Sequence, residues 1–345
     1  MLKKILLLSL ASLFTVSLFA CGGGTKPDKE EKDTAGESSN SKHLSIYDAN
    51  DTWTDEIIQS FQEKTGIQVD RVSGGAGELT SRIKAEAGNP IADIMMGGAN
   101  DTYEAMAESW EAYTSPQEEH IDQKYIDPNH KWHSVSVDPF VIIYNTELVS
   151  EEAAPKSWDD LLKPEFKGKI AYADPNKSGS SFTLLATMIT AAGKDDGKGY
   201  EFIKEFVANL DGKIIGSSSA LYKGVADGEY AVGLTFEEGA LKYVVADAPM
   251  KIVYPEPGTT ILMNSCAIVK DAPNMENAKL FIDHIQSKEV QDILKKFNRR
   301  SVRGDVEESA DVIPVSDIKA IDYDLNWVSE NKVEMLDFWK ETVTG

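Results

Sequence analysis

Between residues 43 and 96 strand-like and helix-like stretches alternate, and this order restricts the fold more than any other feature of the chain. Residues 43–49 read as a first strand. Residues 54–65 place Ile57, Ile58 and Phe61 at helical spacing and stop at Gly66. A second strand follows at 67–72, a helix at 78–87 ended by Asn89-Pro90, and a third strand at 91–96 before Gly97-Gly98. Alternation of this kind sets successive strands parallel, with helices on the sheet faces. The rhythm returns as a strand at 168–173, helices at 181–192 and 199–209, and short strands at 213–215, 231–235 and 251–254. Two α/β blocks of comparable size are expected. Residues 274–297 form a long helical region whose apolar face carries Ala278, Phe281, Ile282, Ile285, Val290 and Leu294, and 328–343 read as a closing helix. No internal repeat is found.

The first twenty residues stand apart from this pattern. Lys3 and Lys4 precede an apolar run from Leu6 to Phe19, which ends in Leu18-Phe19-Ala20-Cys21 and three glycines. The run is short for a spanning helix, which needs about 20 residues, and it has the layout of a secretory leader. The junction resembles the lipobox of bacterial lipoproteins. That resemblance implies that residues 1–20 are removed and that Cys21 carries lipid. Residues 21–42 are rich in Gly, Ser, Lys, Glu and Asp and read as a disordered tether. An extracytoplasmic body held at the outer face of the cell membrane, or in a periplasm, is expected. Cys266, in the strand-like stretch 263–269, is then left as a buried free thiol.

Composition excludes several classes. The chain has 57 acidic and 35 basic side chains, a formal charge of −22, which disfavours a nucleic-acid partner. Two cysteines cannot form a disulfide framework, and no Cys/His cluster has zinc-like spacing. His130 and His133 flank Trp132 at a spacing that binds metal on a helix, but Pro128 and Asn129 indicate a loop. No metal and no cofactor are expected. Neither a Gly-x-Ser-x-Gly elbow nor a His-Glu-x-x-His motif is present, so an enzyme is not expected.

Five stretches carry a family resemblance: SGGAGELTSRIKAEAGNPIADIMMGG at 73–98, IIYNTELV at 142–149, PKSWDDLLKPEFKGKIAYADPNKSGSSF at 155–182, GVADGEYAVGLTFEEGA at 224–240 and KFNRRSVRGDV at 296–306. The chain resembles bacterial extracellular solute-binding proteins of ABC transporters, in the group of ferric-ion, hexose-phosphate and phosphonate receptors. The resemblance implies an α/β, two-lobed periplasmic-binding-protein fold of type II, each lobe a sheet flanked by helices, with the ligand in the cleft between. It implies a first lobe of residues 43–139 plus 264–311, a second of 140–263, and C-terminal helices at 312–345 that pack back on the lobes. The crossings would fall near Asp138-Pro139 and at 260–264. The implied partners are a small anionic solute and the permease and ATPase subunits of an importer, with the protein a monomer.

Several loops have the chemistry to hold a ligand. Ser73, Gly74 and Gly75 lie between a strand and a helix, where glycines admit a close backbone approach and a helix N-terminus attracts anions. The same residues also serve as a plain turn. Ser178, Gly179, Ser180 and Ser181 repeat this character, and Ser180 or Ser181 could equally cap the helix that follows. Ser218, in a run of three serines, is a third such position. Glu237 and Glu238 follow the 231–235 strand, and strand ends in open α/β sheets face the ligand crevice. Glu237 is expected to accept hydrogen bonds from sugar hydroxyls or to pair with an amine of the solute, and Glu256 resembles a position close to the ligand in hexose-phosphate receptors. Arg299, Arg300 and Arg303 form the densest basic cluster and are expected to act first between the lobes and second on the ligand.

Two departures bear on the ligand. Ferric receptors of this group commonly use adjacent tyrosines; here Phe236-Glu237-Glu238 stands where the pair is expected. Hexose-phosphate receptors tend to carry a His-acid pair near this stretch, where this chain has Phe236 and Glu237. The favoured reading is a receptor for a hexose phosphate or similar organophosphate. Aminoalkylphosphonate, ferric ion and polyamine are alternatives, and a surface adhesion or signalling lipoprotein is a further one.

Overall fold

The computed structural model describes residues 42–50 and 53–345. The leader, Cys21 and the tether to residue 41 lie outside the described residues. The chain opens with β1 (His43–Asp48), α1 (Thr54–Thr65), β2 (Gln68–Ser73), α2 (Ala76–Ala85), β3 (Ile94–Ala99) and the short α3 (Asn100–Glu104). Next come β4 (Trp110–Glu111), the long β5 (His133–Asn145), β6 (Ile170–Ala171), α4 (Gly179–Gly193), α5 (Lys198–Leu210) and α6 (Ser218–Ala226). The remainder is β7 (Val232–Phe236), α7 (Glu237–Val245), β8 (Met250–Val253), β9 (Ile261–Val269), α8 (Met275–Ile285), α9 (Lys288–Lys295), β10 (Arg300–Ser301) and α10 (Leu325–Thr344).

The first α/β block forms as the alternation requires. β1 pairs in parallel with β2 and with β3, and Ile57, Ile58 and Phe61 of α1 are buried against the sheet. The sheet as a whole is mixed, in the order β2-β1-β3-β9-β5-β7-β6, with β10 and β8 also on β5 and β4 on β9. β5 is its backbone. Residues 133–139 pair antiparallel with β9, and residues 140–145 pair antiparallel with β7 and β8. No strand is expected there from the sequence; Pro139 sits mid-run, where a missing N–H is unusual for a central strand. Pro139 falls where β5 exchanges one set of neighbours for the other: it lies opposite Ile261 at the start of β9, and Phe140 pairs with Phe236 of β7.

Other differences have local causes. The strand expected at 213–215 reduces to a single bridge between Ile215 and Ala173, because Asp211 and Gly212 both take left-handed backbone and turn the chain. The long helical region breaks at Ser287, whose hydroxyl accepts from the Val290 amide and caps α9. Cys266 lies in β9 as a fully buried free thiol.

One core cluster gathers Leu44, Ile46, Ile57, Phe61, Phe281 and Leu294, and another gathers Ile142, Leu185, Phe206 and Leu234. Val328, Met335 and Trp339 of α10 belong to the second cluster.

His133 of β5 is buried, and neither ring nitrogen has a hydrogen-bond partner. Burial, reinforced by nearby His130, depresses its pKa to about 3, outweighing a Glu118 carboxylate oxygen 3.8 Å away. Below about pH 6.5 the unfolded chain therefore binds a proton that the folded chain refuses. Stability falls as pH drops below 6.5, by about 1.4 kcal/mol per unit for this residue. Between pH 6.5 and 5 the His133→Phe variant should lose about 2 kcal/mol less than the parent in urea titrations; parallel curves would refute the assignment.

Candidate functional site

A cleft of about 300 Å³ opens where several strand-to-helix junctions converge. Its wall includes Gly75 to Gly77 at the start of α2, Ser178 to Ser180 at the start of α4, and Gly216 to Ser219 at the start of α6. Phe236 and Glu238 at the start of α7, Asp101 on α3, Asn264 on β9 and Arg299 complete the part that matters chemically.

The helix ends are built to leave donors available. Gly75 is the extended residue before α2, and no side chain caps that helix. Its first intrahelical bond runs from the Leu79 amide to the Gly75 carbonyl (3.0 Å), so the amides of Ala76, Gly77 and Glu78 precede the ladder. Ser178 caps α4 through the Ser181 amide (3.2 Å), and Ser217 caps α6 through the Ala220 amide (3.4 Å). The cap of α4 is thus Ser178 and not Ser180 or Ser181, because the helix begins earlier than expected, at Gly179. Three hydroxyls then meet: Ser178 and Ser218 at 2.6 Å, Ser180 and Ser218 at 2.8 Å, Ser178 and Ser180 at 3.1 Å. The triangle joins the N-termini of α4 and α6, each carrying the positive end of a helix dipole.

Of the sequence-expected residues, Gly75, Ser178, Gly179, Ser180 and Ser218 line this cleft together. Ser73, Gly74, Ser181, Glu237 and Glu256 do not. Ser73 ends β2 and is exposed. Gly74 lies under Leu79, whose side chain would meet an added Cβ at 3.2 Å. Ser181 is buried, and its carbonyl accepts from the Tyr172 hydroxyl (2.5 Å). Glu256 is exposed in a turn, its amide donating to the Lys156 carbonyl (2.9 Å). Glu237 turns away from the cleft and is buried against Arg300, which grips both carboxylate oxygens, with one oxygen also accepting from the Tyr254 hydroxyl. Burial holds the Tyr254 pKa up at about 12, so this hydroxyl stays a donor.

The arginines form a brace beside the cleft. Arg299 Nη1 donates to Ser136 Oγ (2.7 Å) and meets Asp138 Oδ2 (3.2 Å), and its Nη2 meets Glu238 Oε2 (3.0 Å). Its guanidinium also lies 4.8 Å over the Trp53 ring. Arg300, besides Glu237, donates from Nη2 to the Ile313 carbonyl (2.9 Å). Arg303 lies apart, on Asp305, Gln117 and the Gln286 carbonyl.

Asn50, Asp101, Lys242 and Asn264 also line the cleft, and no motif in the sequence marks them. Gly97 and Gly98, both at positive φ, mark the strand end that leads into Asn100 and Asp101. A Cβ at Gly97 would sit 2.7 Å from the Asn50 amide nitrogen, so only glycine lets Asn50 pack there. Asn50 is held through the Asp48 carboxylate (2.9 Å) and accepts from Asn264 Nδ2 (3.0 Å). Lys242 lies 4.6 Å from the Tyr222 ring centre, at the serine-bearing side.

A cleft at converging helix N-termini, in a mixed curled sheet, is the geometry of a solute receptor, and the sequence carries the matching family pattern: residues 89–325 match the profile of bacterial extracellular solute-binding proteins. The chain belongs to this family. This solute-binding protein is similar to the periplasmic binding protein AfuA of Actinobacillus pleuropneumoniae, solved with fructose-6-phosphate bound. The TM-score is 0.81 at 28% identity, covering 88% of this chain and 98% of that one. It is also similar to a ferric binding protein from Campylobacter jejuni (TM-score 0.77, 27% identity, 87% and 99% covered). A periplasmic protein of Salmonella typhimurium, provisionally named for 2-aminoethylphosphonate binding, is 27% identical over 270 residues, 76% of this chain and 78% of that one. The fold is that of type II periplasmic binding proteins. Proteins of this family serve ABC importers as the extracytoplasmic binding component, acting with permease and ATPase subunits. Among the described residues no helix is long and apolar enough to cross a membrane.

Proposed function

We propose that this receptor captures a small solute through a phosphate or phosphonate group, a hexose phosphate or similar organophosphate being the reference case, and delivers it to a membrane permease. The carrying observation is the serine triangle at the joined N-termini of α4 and α6, with the uncapped start of α2 on the same cleft. Amides and hydroxyls at helix ends suit a tetrahedral anion without needing a full cationic partner. Ferric ion is disfavoured by the donor set. Asp138 and Glu238 are engaged by Arg299, and Tyr222 is the cleft-lining tyrosine.

The two lobes, 43–139 with 264–311 and 140–263, close about the Pro139 and 260–264 crossings and exclude water from the ligand. Cys21 carries the lipid that holds the monomeric body at the membrane, after removal of residues 1–20. Thermal unfolding against fructose 6-phosphate, inorganic phosphate, aminoalkylphosphonates, polyamines and ferric citrate tests the reading. A ligand at 100 times its Kd should raise Tm by about 5–10 °C. Shifts confined to phosphorylated or phosphonylated compounds are expected; a shift with ferric salt or polyamine alone overturns the proposal.

A further inference from the structure

We infer that Asp101 reads a cationic amine on the ligand, so that the solute is a short amine-bearing phosphate or phosphonate. This rests on the anion reading of the serine loops and adds the other half of the molecule. Asp101 lines the cleft and is 5% exposed. Its Oδ2 accepts from Thr183 Oγ1 (2.9 Å) and the Tyr323 hydroxyl (3.4 Å), and its Oδ1 from Thr102 Oγ1 (3.3 Å). All three donors are neutral. Among the described residues no basic side chain lies within ion-pairing distance of it, whereas Asp138 and Glu238 share Arg299 and Asp48 holds Arg71 at 2.6 Å. A buried carboxylate that can accept about four hydrogen bonds gains most from a cation.

A second acceptor adjoins it. Asn264 stands opposite Ala99 in the β3–β9 register, its Nδ2 is used on Asn50, and its shielded Oδ1 accepts nothing. An ammonium group brings three donors. Spacing limits the solute's length. Thr183, which holds Asp101, is four residues along α4 from Gly179 at the anion end, about 6 Å at 1.5 Å per residue. A two-carbon link between amine and phosphorus fits this distance.

The test is calorimetric titration of the intact protein with 2-aminoethylphosphonate and with propylphosphonate, which has a methyl group in place of the ammonium. Wild type should bind the amine on the order of 100-fold more tightly. Asp101→Asn should bring the two within a few-fold, chiefly through loss of affinity for the amine. Phosphoethanolamine, run beside them, separates an ester source from a phosphonate source. Equal binding of the two phosphonates by wild type, or tighter binding of fructose 6-phosphate than of either amine, overturns the inference and leaves the anion site standing. No binding of any of these compounds or of inorganic phosphate overturns the anion reading itself. The wild-type ratio is decisive even if the variant folds poorly.

Discussion

Replacing Arg300 by Met alone is expected to destabilise the fold by about 3–5 kcal/mol. Arg300 is 1% exposed and Glu237 equally hidden, and the arginine holds both carboxylate oxygens. Removing the cation leaves a carboxylate buried with the Tyr254 hydroxyl as its remaining donor and takes one donor from the Ile313 carbonyl. The buried carboxylate then carries the full desolvation cost of an unmet charged group, whereas Ile313 is an exposed residue. Burial pushes the Arg300 pKa down from its usual value, the direction expected of a guanidinium taken out of water. Replacing both residues together, Arg300→Met with Glu237→Leu, should recover most of the loss, since apolar isosteres of a buried pair are often neutral or better. Urea unfolding of the parent, the two single variants and the double variant measures the coupling. A double variant no more stable than the worse single would show that the pair does more than cancel its own burial.

That pair also marks how far the sequence could be read. Glu237 was legible as a strand-end acid and Arg300 as part of a basic cluster, but their union joins positions 63 residues apart. Nothing local announces it, and the strand-end rule alone pointed Glu237 at the ligand. Its neighbour Glu238, one residue on, faces the cleft instead. The first α/β block was legible because periodicity and Gly66 encode it directly. β5 was not, because Pro139 breaks its pattern at the place where the sheet changes partners. The serine loops were legible as anion-suited turns. Their meeting in one triangle follows from β6–β7 pairing and the packing of α6 on β7, which no spacing in the sequence reports. Asp101 sits on a five-residue helix too short to show an apolar period, and only the glycine pair before it hints at a strand end.

Ser218→Asp is expected to weaken binding of any phosphate or phosphonate solute on the order of 1,000-fold while leaving the fold intact or slightly firmer. Ser218 touches both Ser178 and Ser180, so a carboxylate there enters the anion cradle itself. Two like charges about 4 Å apart cost about 4 kcal/mol at an effective dielectric of 20, which sets the loss. The same substitution suits the helix, because Ser218 is the first residue of α6 and an acid in a first turn favours the dipole. Loss of binding with retained stability separates a cradle from a purely structural contact, since Ser217 and not Ser218 caps α6: a hydroxyl that served only to join the starts of α4 and α6 would cost stability and leave affinity untouched. Ser218→Ala, which removes one hydroxyl and adds no charge, should cost only about tenfold. Calorimetry with the best organophosphate or phosphonate, paired with thermal unfolding of the unliganded variants, reads both quantities. Unchanged affinity in Ser218→Asp would place the anion elsewhere in the cleft and remove the observation on which the proposed function stands.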